Sequence, residues 1–266
     1  MTSDVPHPSP GLSESTLERL AGARHIAVLT GAGMSADSGL PTYRSGPGAL
    51  WSIAVANEVA SACAWREQPL KVWAWYMGMR EKVNGSHPNA GHLALARLAE
   101  SVQVTILTQN VDDLHERACS DRVRHLHGQV RTVVCVHCRQ HAPPHADAAS
   151  LMNCPRCGQR MRPDMVLFNE QLNPEHWAFA QQTVRQSDAL LVVGTSAQVF
   201  PVASLPVLAR RKRKLLVEIN PNPTQVTSIA DECLRTTAAV GLPWLVDTLL
   251  ERARAAPAAS ASRSKP

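Results

Sequence analysis

Four cysteines stand in two pairs, Cys135-Val-His-Cys138 and Cys154-Pro-Arg-Cys157, with 15 residues between them. Thiolates at this spacing close around one tetrahedral Zn²⁺, and four of them leave no position for a reacting water. The expected metal is therefore structural, with Arg139, Arg156 and Arg160 near enough in sequence to offset its negative cage. A redox dithiol, which needs only one pair, and plain structural thiols are the competing readings.

A second group is polar. Thr108-Gln-Asn-Val-Asp-Asp-Leu-His-Glu-Arg117 follows an apolar run and sets Gln109, Asn110 and Asp112 close together. Buried amides and carboxylates need partners, and ribose hydroxyls would supply them. Helix capping by Asn110 or Asp112 is the simpler alternative. Next comes His125-Leu-His127-Gly128. A neutral imidazole accepts a proton near pH 7, and alternate positions of an extended segment face opposite ways, so only one of these histidines faces a cleft. Upstream, Gly31-Ala-Gly-Met-Ser-Ala36 has the form Gly-x-Gly-x-x-Ala directly after another apolar run. Such glycines let a backbone approach a pyrophosphate at a helix N-terminus, or simply make a tight strand-to-helix turn. A hydride-transfer enzyme of this type places an acid about 20 residues later, on the ribose. Residues 48–56 contain none, which leaves Asn220 as the candidate ribose ligand and disfavours dehydrogenase chemistry.

The elements that must hold these groups are legible as short β-branched runs at His25–Thr30, residues 102–107, Ala189–Val193 and Leu215–Ile219. Runs without polar alternation are strands buried on both faces of a parallel sheet. Helical patterns at residues 90–101 and 174–186 lie between them, Pro174 suiting a first turn. The expected fold is α/β, a doubly wound parallel sheet with a Rossmann-like core. Two stretches interrupt it: a helical insertion over about 45–89, holding four of the six tryptophans, and the cysteine-bearing module over about 130–162. The catalytic domain is expected over 16–252, with Pro-, Ser- and Ala-rich disordered tails at 1–15 and 253–266. Cys63, Cys119 and Cys233 read as small buried hydrophobes.

Of 266 residues, 44% are hydrophobic, enough for a sizeable core. The net charge of +5 is mild and does not call for nucleic acid. The basic run Arg210-Arg-Lys-Arg-Lys214 reads as a solvated helix end rather than a nucleic-acid patch. No apolar stretch reaches the roughly 18 residues of a membrane helix, and the first 15 residues lack a signal-peptide pattern. A cytoplasmic protein is expected, its paired cysteines serving metal rather than disulfides.

In this order the motifs resemble those of the sirtuin family of NAD-dependent protein deacylases, over roughly residues 24–250. The stretch from Gly31 to Arg44 looks like the family's glycine turn and cofactor loop, the one from Thr108 to Arg117 like its central signature, and His127-Gly128 like its catalytic pair. Gly194-Thr-Ser196 and Asn220 match further cofactor-binding segments. The resemblance implies NAD held by Gly31, Ala32, Gly33, Ser35, Asp37, Gln109, Asn110 and Asp112, with nicotinamide near Ala32, Asp37 and Asn110. Tyr43 and Arg44 would lie on a mobile loop over the ribose. The substrate's acyl oxygen would attack the ribose carbon as nicotinamide leaves, Asn110 and Asp112 positioning the ribose. His127 would act as general base on a ribose hydroxyl. The products would be lysine, nicotinamide and an O-acyl-ADP-ribose, made from acylated-lysine proteins.

The chain is most similar to the bacterial subclass that includes desuccinylases, where an acyl-pocket Tyr is followed three residues later by an Arg that pairs with the acyl carboxylate. Here Tyr76 is followed at that distance by Met79, and Arg80 comes one residue late. One helical position is about 100° of rotation. Met79 is therefore expected to line an apolar pocket with Arg80 turned away, which favours deacetylation over desuccinylation or demalonylation. Val166-Leu-Phe-Asn-Glu170 looks like the segment that pairs with substrate backbone, with Val166, Phe168, Asn169 and Glu170 at the peptide and Asn169 where the family usually has Gly. A mono-ADP-ribosyltransferase on the same NAD site, and a zinc-ribbon nucleic-acid-binding protein that only senses NAD, are the rival readings.

Overall fold

A computed structural model of the chain describes residues 11–42, 58–145 and 150–255. Its central sheet contains β1 (His25–Thr30), β2 (Gln103–Thr108), β3 (Val123–His125), β7 (Ala189–Val193), β8 (Leu215–Ile219) and β9 (Glu232–Leu234). All are parallel, in the order β3-β2-β1-β7-β8-β9. The strand from residue 102 to 107 shifts by one, to Gln103–Thr108. The expected doubly wound core is thus present.

The absence of polar alternation has its reason in two cores. Ile26 and Val28 of β1 join Val104, Ile106, Leu191, Val217 and Leu245 on one face, whereas Ala27 and Leu29 join Leu107, Leu190, Leu216 and Val184 on the other. On the first face pack α1 (Glu14–Ala21), α4 (Ala90–Leu98) and α8 (Ala238–Ala255); on the second, α6 (Pro174–Gln186) and α7 (Leu205–Arg211). Helix α4 ends at Leu98, three residues short of the expected 101, and α6 has its expected bounds.

The expected tail over 1–15 requires correction, because α1 starts at Glu14 and is capped by Ser13. Ser13 and Thr16 also donate to Glu232, tying this helix to the sheet edge. At the other end α8 runs to Ala255, past the expected boundary at 252. The basic run falls where α7 stops, and Arg210 through Arg213 are exposed.

The insertion contributes α2 (Ala62–Glu67) and α3 (Pro69–Gly85). The cysteine module is a three-stranded antiparallel sheet of β4 (Gly128–Cys135), β5 (His141–Ala142) and β6 (Met161–Met165), in the order β5-β4-β6. Trp73, Tyr76, Met77 and Val83 of α3 pack against its Val130, Val133 and Met161, so insertion and module share one small core. Cys63 and Cys119 are exposed and Cys233 is half-buried, which corrects their reading as core residues. No helix among the described residues is long and apolar enough to cross a membrane.

Candidate functional site

In an open parallel sheet the crevice forms beyond the carboxyl ends of the strands, where the chain order reverses. Here the reversal lies between β1, whose successors β2 and β3 run one way, and β7, whose successors run the other. The turns leaving β1, β2, β7 and β8 carry Gly31–Ser35, Gln109–Asp112, Gly194–Ser196 and Asn220, so most of the dispersed candidates meet at one end of the sheet.

The glycine turn departs from expectation. It opens no α-helix but two 3₁₀ turns, Ala32–Met34 and Ala36–Ser38, the second closed by Gly39 at φ 84°. Its glycines face another turn of the chain. The Gly33 N–H donates to the Gly194 carbonyl at 2.7 Å, and a Cβ on Gly33 would come within 2.7 Å of the Gly194 Cα. Two backbones therefore lie in contact, with no room for a side chain between them.

Buried polar groups lock these turns together. Asn110 Nδ2 donates to the Gly31 carbonyl at 3.0 Å and to Ser35 Oγ at 3.2 Å. Ser35 Oγ in turn donates to Asp112 Oδ2 at 3.0 Å. Gln109 Nε2 donates to Thr195 Oγ1 at 2.8 Å, and Asn220 Nδ2 to the Thr195 carbonyl at 3.3 Å. Burial pushes the Asp112 carboxyl up, while the Leu114 N–H, Ser35 and nearby His125 pull the other way. The capping alternative also has substance, since Asp112 Oδ1 accepts from the Leu114 N–H at 3.2 Å, at the start of α5 (Leu114–Arg117). One oxygen orders a helix turn and the other joins the network.

The two histidines separate as their alternation requires. His127 is half-buried and its Nδ1–H donates to the Gln109 carbonyl at 3.1 Å. A carbonyl only accepts, so this bond fixes the tautomer and leaves the lone pair on Nε2. Burial lowers the affinity of His127 for a proton more than the carbonyl raises it, keeping the ring neutral at pH 7. His125 is buried on the other side.

A cavity of about 60 Å³ is lined by Ala32, Ser35, Asn110, Asp112, Met79 and Lys82, among others. Met79 lines this cavity and Arg80 does not. Tyr76 requires correction: it is fully buried, and its hydroxyl donates to the Val130 carbonyl at 2.8 Å in the α3–β4 interface. A larger hollow of about 310 Å³ opens beside Gln103 and Arg122, at the amino ends of the strands and away from this chemistry. Asp37 is exposed on the second 3₁₀ turn and lines neither cavity. Tyr43 and Arg44 lie outside the described residues.

Asn169 adopts φ 69°, the conformation expected of a Gly substitute. The segment around it is less open than expected. Val166 N–H donates to the His127 carbonyl, Phe168 N–H to Ala60, and the Phe168 carbonyl accepts from Ala62. Glu170 accepts from the Leu167 N–H at 2.9 Å and pairs with Arg162 at 2.6 Å. Any added strand must use the backbone groups that remain.

The sulfur atoms of Cys135, Cys138, Cys154 and Cys157 all lie within 4.8 Å of one another. Tetrahedral Zn²⁺ with bonds of about 2.3 Å spaces its sulfurs by about 3.8 Å. The Cys135–Cys157 and Cys138–Cys154 separations of 3.5 and 3.6 Å fit that cage closely. Backbone N–H groups of His137 and Arg156 point at Cys135 and Cys154, as expected around thiolates.

Sequence reasoning missed Asn89, whose Nδ2 donates to the Met34 carbonyl at 2.8 Å and to Ser38 Oγ at 3.0 Å, pinning both 3₁₀ turns to α4. It also missed the pairing of His92 with His115, whose rings meet at 58° with centroids 4.8 Å apart. The sequence signal for His92 is the Asn-x-x-His spacing at the start of α4, a capping box with an unusual fourth member.

Comparison with known proteins accords with this geometry. An NAD-dependent protein deacylase of Mycolicibacterium paratuberculosis is 42% identical over 230 residues, which cover 84% of this chain and 97% of that protein. NAD-dependent protein deacylase 1 of Archaeoglobus fulgidus is 41% identical over 241 residues, 88% of this chain and 97% of that one. A crystal structure of a Sir2 homologue–NAD complex has TM-score 0.86 and 39% identity, covering 93% of this chain and 97% of the other. The model of the Sir2 family matches residues 31–201, the glycine turn through the loop after β7, and the chain belongs to that family.

Proposed function

We propose that this chain removes acyl groups from lysine side chains of proteins with NAD as co-substrate, His127 being the general base. The observation that carries the reading is the His127 Nδ1–H bond to the Gln109 carbonyl, which presents a neutral ring with its free lone pair on Nε2. The residues present suit NAD. Gly31, Gly33 and Gly194 let the turns after β1 and β7 close against each other at the crevice, and Ser35, Asn110 and Asp112 offer a hydroxyl, an amide and a carboxylate to its ribose. Bound NAD supplies a ribose carbon open to attack by an acyl oxygen, and nicotinamide as leaving group. Asn110 and Asp112 orient the ribose; His127 accepts the proton of a ribose hydroxyl at Nε2. The four thiolates hold one structural Zn²⁺, which has no open position and takes no part in the reaction. For its location we propose the cytoplasm, because the paired cysteines gather as a metal cage rather than as disulfides.

For the acyl group we propose acetyl over succinyl or malonyl. Met79 stands three residues after Tyr76, where an acidic-acyl enzyme would carry Arg, and Tyr76 has its hydroxyl engaged by the backbone. A lost charge-assisted contact to a buried carboxylate is worth about 1.5–3 kcal/mol, or roughly 10- to 150-fold in selectivity. Nicotinamide release is to be measured with acetyl- and succinyl-lysine peptides. Faster release with acetyl-lysine is expected, and a strong succinyl preference would show the acyl assignment wrong. ADP-ribose attached to protein, seen by mass spectrometry in place of acyl-ADP-ribose, would point to a transferase instead.

A further inference from the structure

The segment that presents His127 also carries His125, whose surroundings are of the opposite kind. His125 is buried, and both ring nitrogens face acceptors: Nδ1 lies 2.9 Å from the Asn110 carbonyl and Nε2 lies 2.7 Å from Glu116 Oε1. A neutral imidazole has one N–H and satisfies one acceptor, so its second nitrogen would point a lone pair at another lone pair. The imidazolium donates to both. The Asn110 carbonyl is buried and Glu116, although exposed, carries a negative charge, so a lone pair facing either is unfavourable and this geometry selects the charged ring.

We propose that His125 and Glu116 are a positioning pair, in which a buried imidazolium clamps the backbone of Asn110 and sets a positive charge beside the Asp112 carboxylate. The pair touches no substrate and acts through these two residues. Asn110 is held at its carbonyl by His125, while its side chain binds Gly31 and Ser35, so a slack backbone would loosen the whole ribose network.

The groups around the ring are few. Glu116 and His115 face it from α5 and Asp112 from the turn after β2. Arg131 of β4 acts on Glu116 from outside, and His176 of α6 bonds the His125 carbonyl rather than its ring. Burial disfavours the charged ring, but Glu116, the Asn110 carbonyl and Asp112 together hold its pKa above the ordinary histidine value. As pH rises through that raised pKa, one acceptor loses its donor and Asp112 loses its positive neighbour. The histidine two residues on has the opposite tendency. Turnover is thus expected to have an acid limb set by His127 and an alkaline limb set by His125.

The consequence for turnover rests on the deacylase reading; the charge state of His125 does not, and the test reads the two separately. Ring ¹⁵N NMR of the full chain at pH 7, with the His125 signals identified by their loss in His125→Gln, should show two protonated nitrogens. Glu116→Gln should lower the titration midpoint of the ring. Each unit of that fall makes kcat about tenfold lower on the alkaline limb, while the acid limb set by His127 stays in place. The KM for peptide should stay unchanged. A neutral His125 at pH 7 in the wild-type protein would overturn the proposal whether or not the chain turns over substrate. So would an alkaline limb unmoved by Glu116→Gln.

Discussion

Acidification should weaken this fold through one residue, His92, and the size of the effect can be worked out. His92 is fully buried at the third position of α4, where its Nδ1 accepts from the Asn89 N–H at 3.3 Å. Its Nε2 has no hydrogen-bond partner, and the ring packs at a tilt against His115. Burial pulls its pKa down to about 4, the Glu116 charge opposing only in part. The unfolded chain, near the ordinary value of about 6.5, therefore binds the proton at a pH where the folded chain does not. Stability is complete above that ordinary value and falls as pH drops towards the folded value. With those two values the loss is about 2 kcal/mol at pH 5 and about 3 kcal/mol by pH 4. His115, also held well below its usual pKa by burial, adds in the same direction. The comparison is urea unfolding at pH 7, 6 and 5 for the wild type and for His92→Gln. Glutamine at this position can still accept from Asn89, as in an ordinary capping box, but does not titrate. The wild type should lose about 2 kcal/mol more than the variant between pH 7 and pH 5. Parallel losses in the two proteins would refute the argument. Asn89 also holds Met34 and Ser38, so the same acidification should loosen the cofactor turns.

His127→Ala should retain the fold by thermal melting and lose formation of free lysine and O-acyl-ADP-ribose by about 10²- to 10⁴-fold, and undiminished turnover would remove the general base. Cys135→Ser together with Cys138→Ser should abolish bound zinc, read by elemental analysis, and cost several kcal/mol of stability; folded, metal-free protein would contradict a structural zinc. Gly33→Ala should destabilise by about 3 kcal/mol, because its Cβ meets the Gly194 backbone at 2.7 Å. Gly39→Ala, at φ 84° with no atom within 4 Å, should cost only about 1 kcal/mol in chemical denaturation.

The difference between these two glycines shows what the sequence could reveal. Gly31-Ala-Gly33 was legible as a turn after a strand, but its partner, the turn at Gly194, lies 161 residues away from Gly33 and no local pattern points to it. The same turn was expected to open a helix, and instead Gly39 ends a second 3₁₀ turn that Asn89 pins from α4. The central strands were legible because both faces are buried, which forces unbroken apolar runs. Strands β3 and β9 were not, since three residues each are too few for any period to appear. The zinc cage was legible because its ligands form two local pairs. Tyr76 misled because its helix position was readable whereas its partners, the carbonyls of Val130 and Thr132, were not.

Asn110 and Asp112 look interchangeable with ordinary capping residues in the sequence, and the structure shows why that ambiguity is real. A residue leaving the carboxyl end of a strand must satisfy its own backbone before it can serve a ligand. Asn110 does so through Thr108 Oγ1, which accepts its N–H at 3.0 Å, and Asp112 through the Leu114 N–H. Only after those bonds are made are Asn110 Nδ2 and Asp112 Oδ2 directed toward Ser35 and the turn after β1. Local order and ligand binding are therefore successive uses of the same side chains. The position of the network, at the junction of β1, β2 and β7, follows from where the sheet reverses its chain order. Its chemistry follows from which residues happen to complete the turns there. A substitution that kept the caps but removed Ser35 would leave the fold intact and separate Asn110 from Asp112, which is why the serine between them matters as much as either.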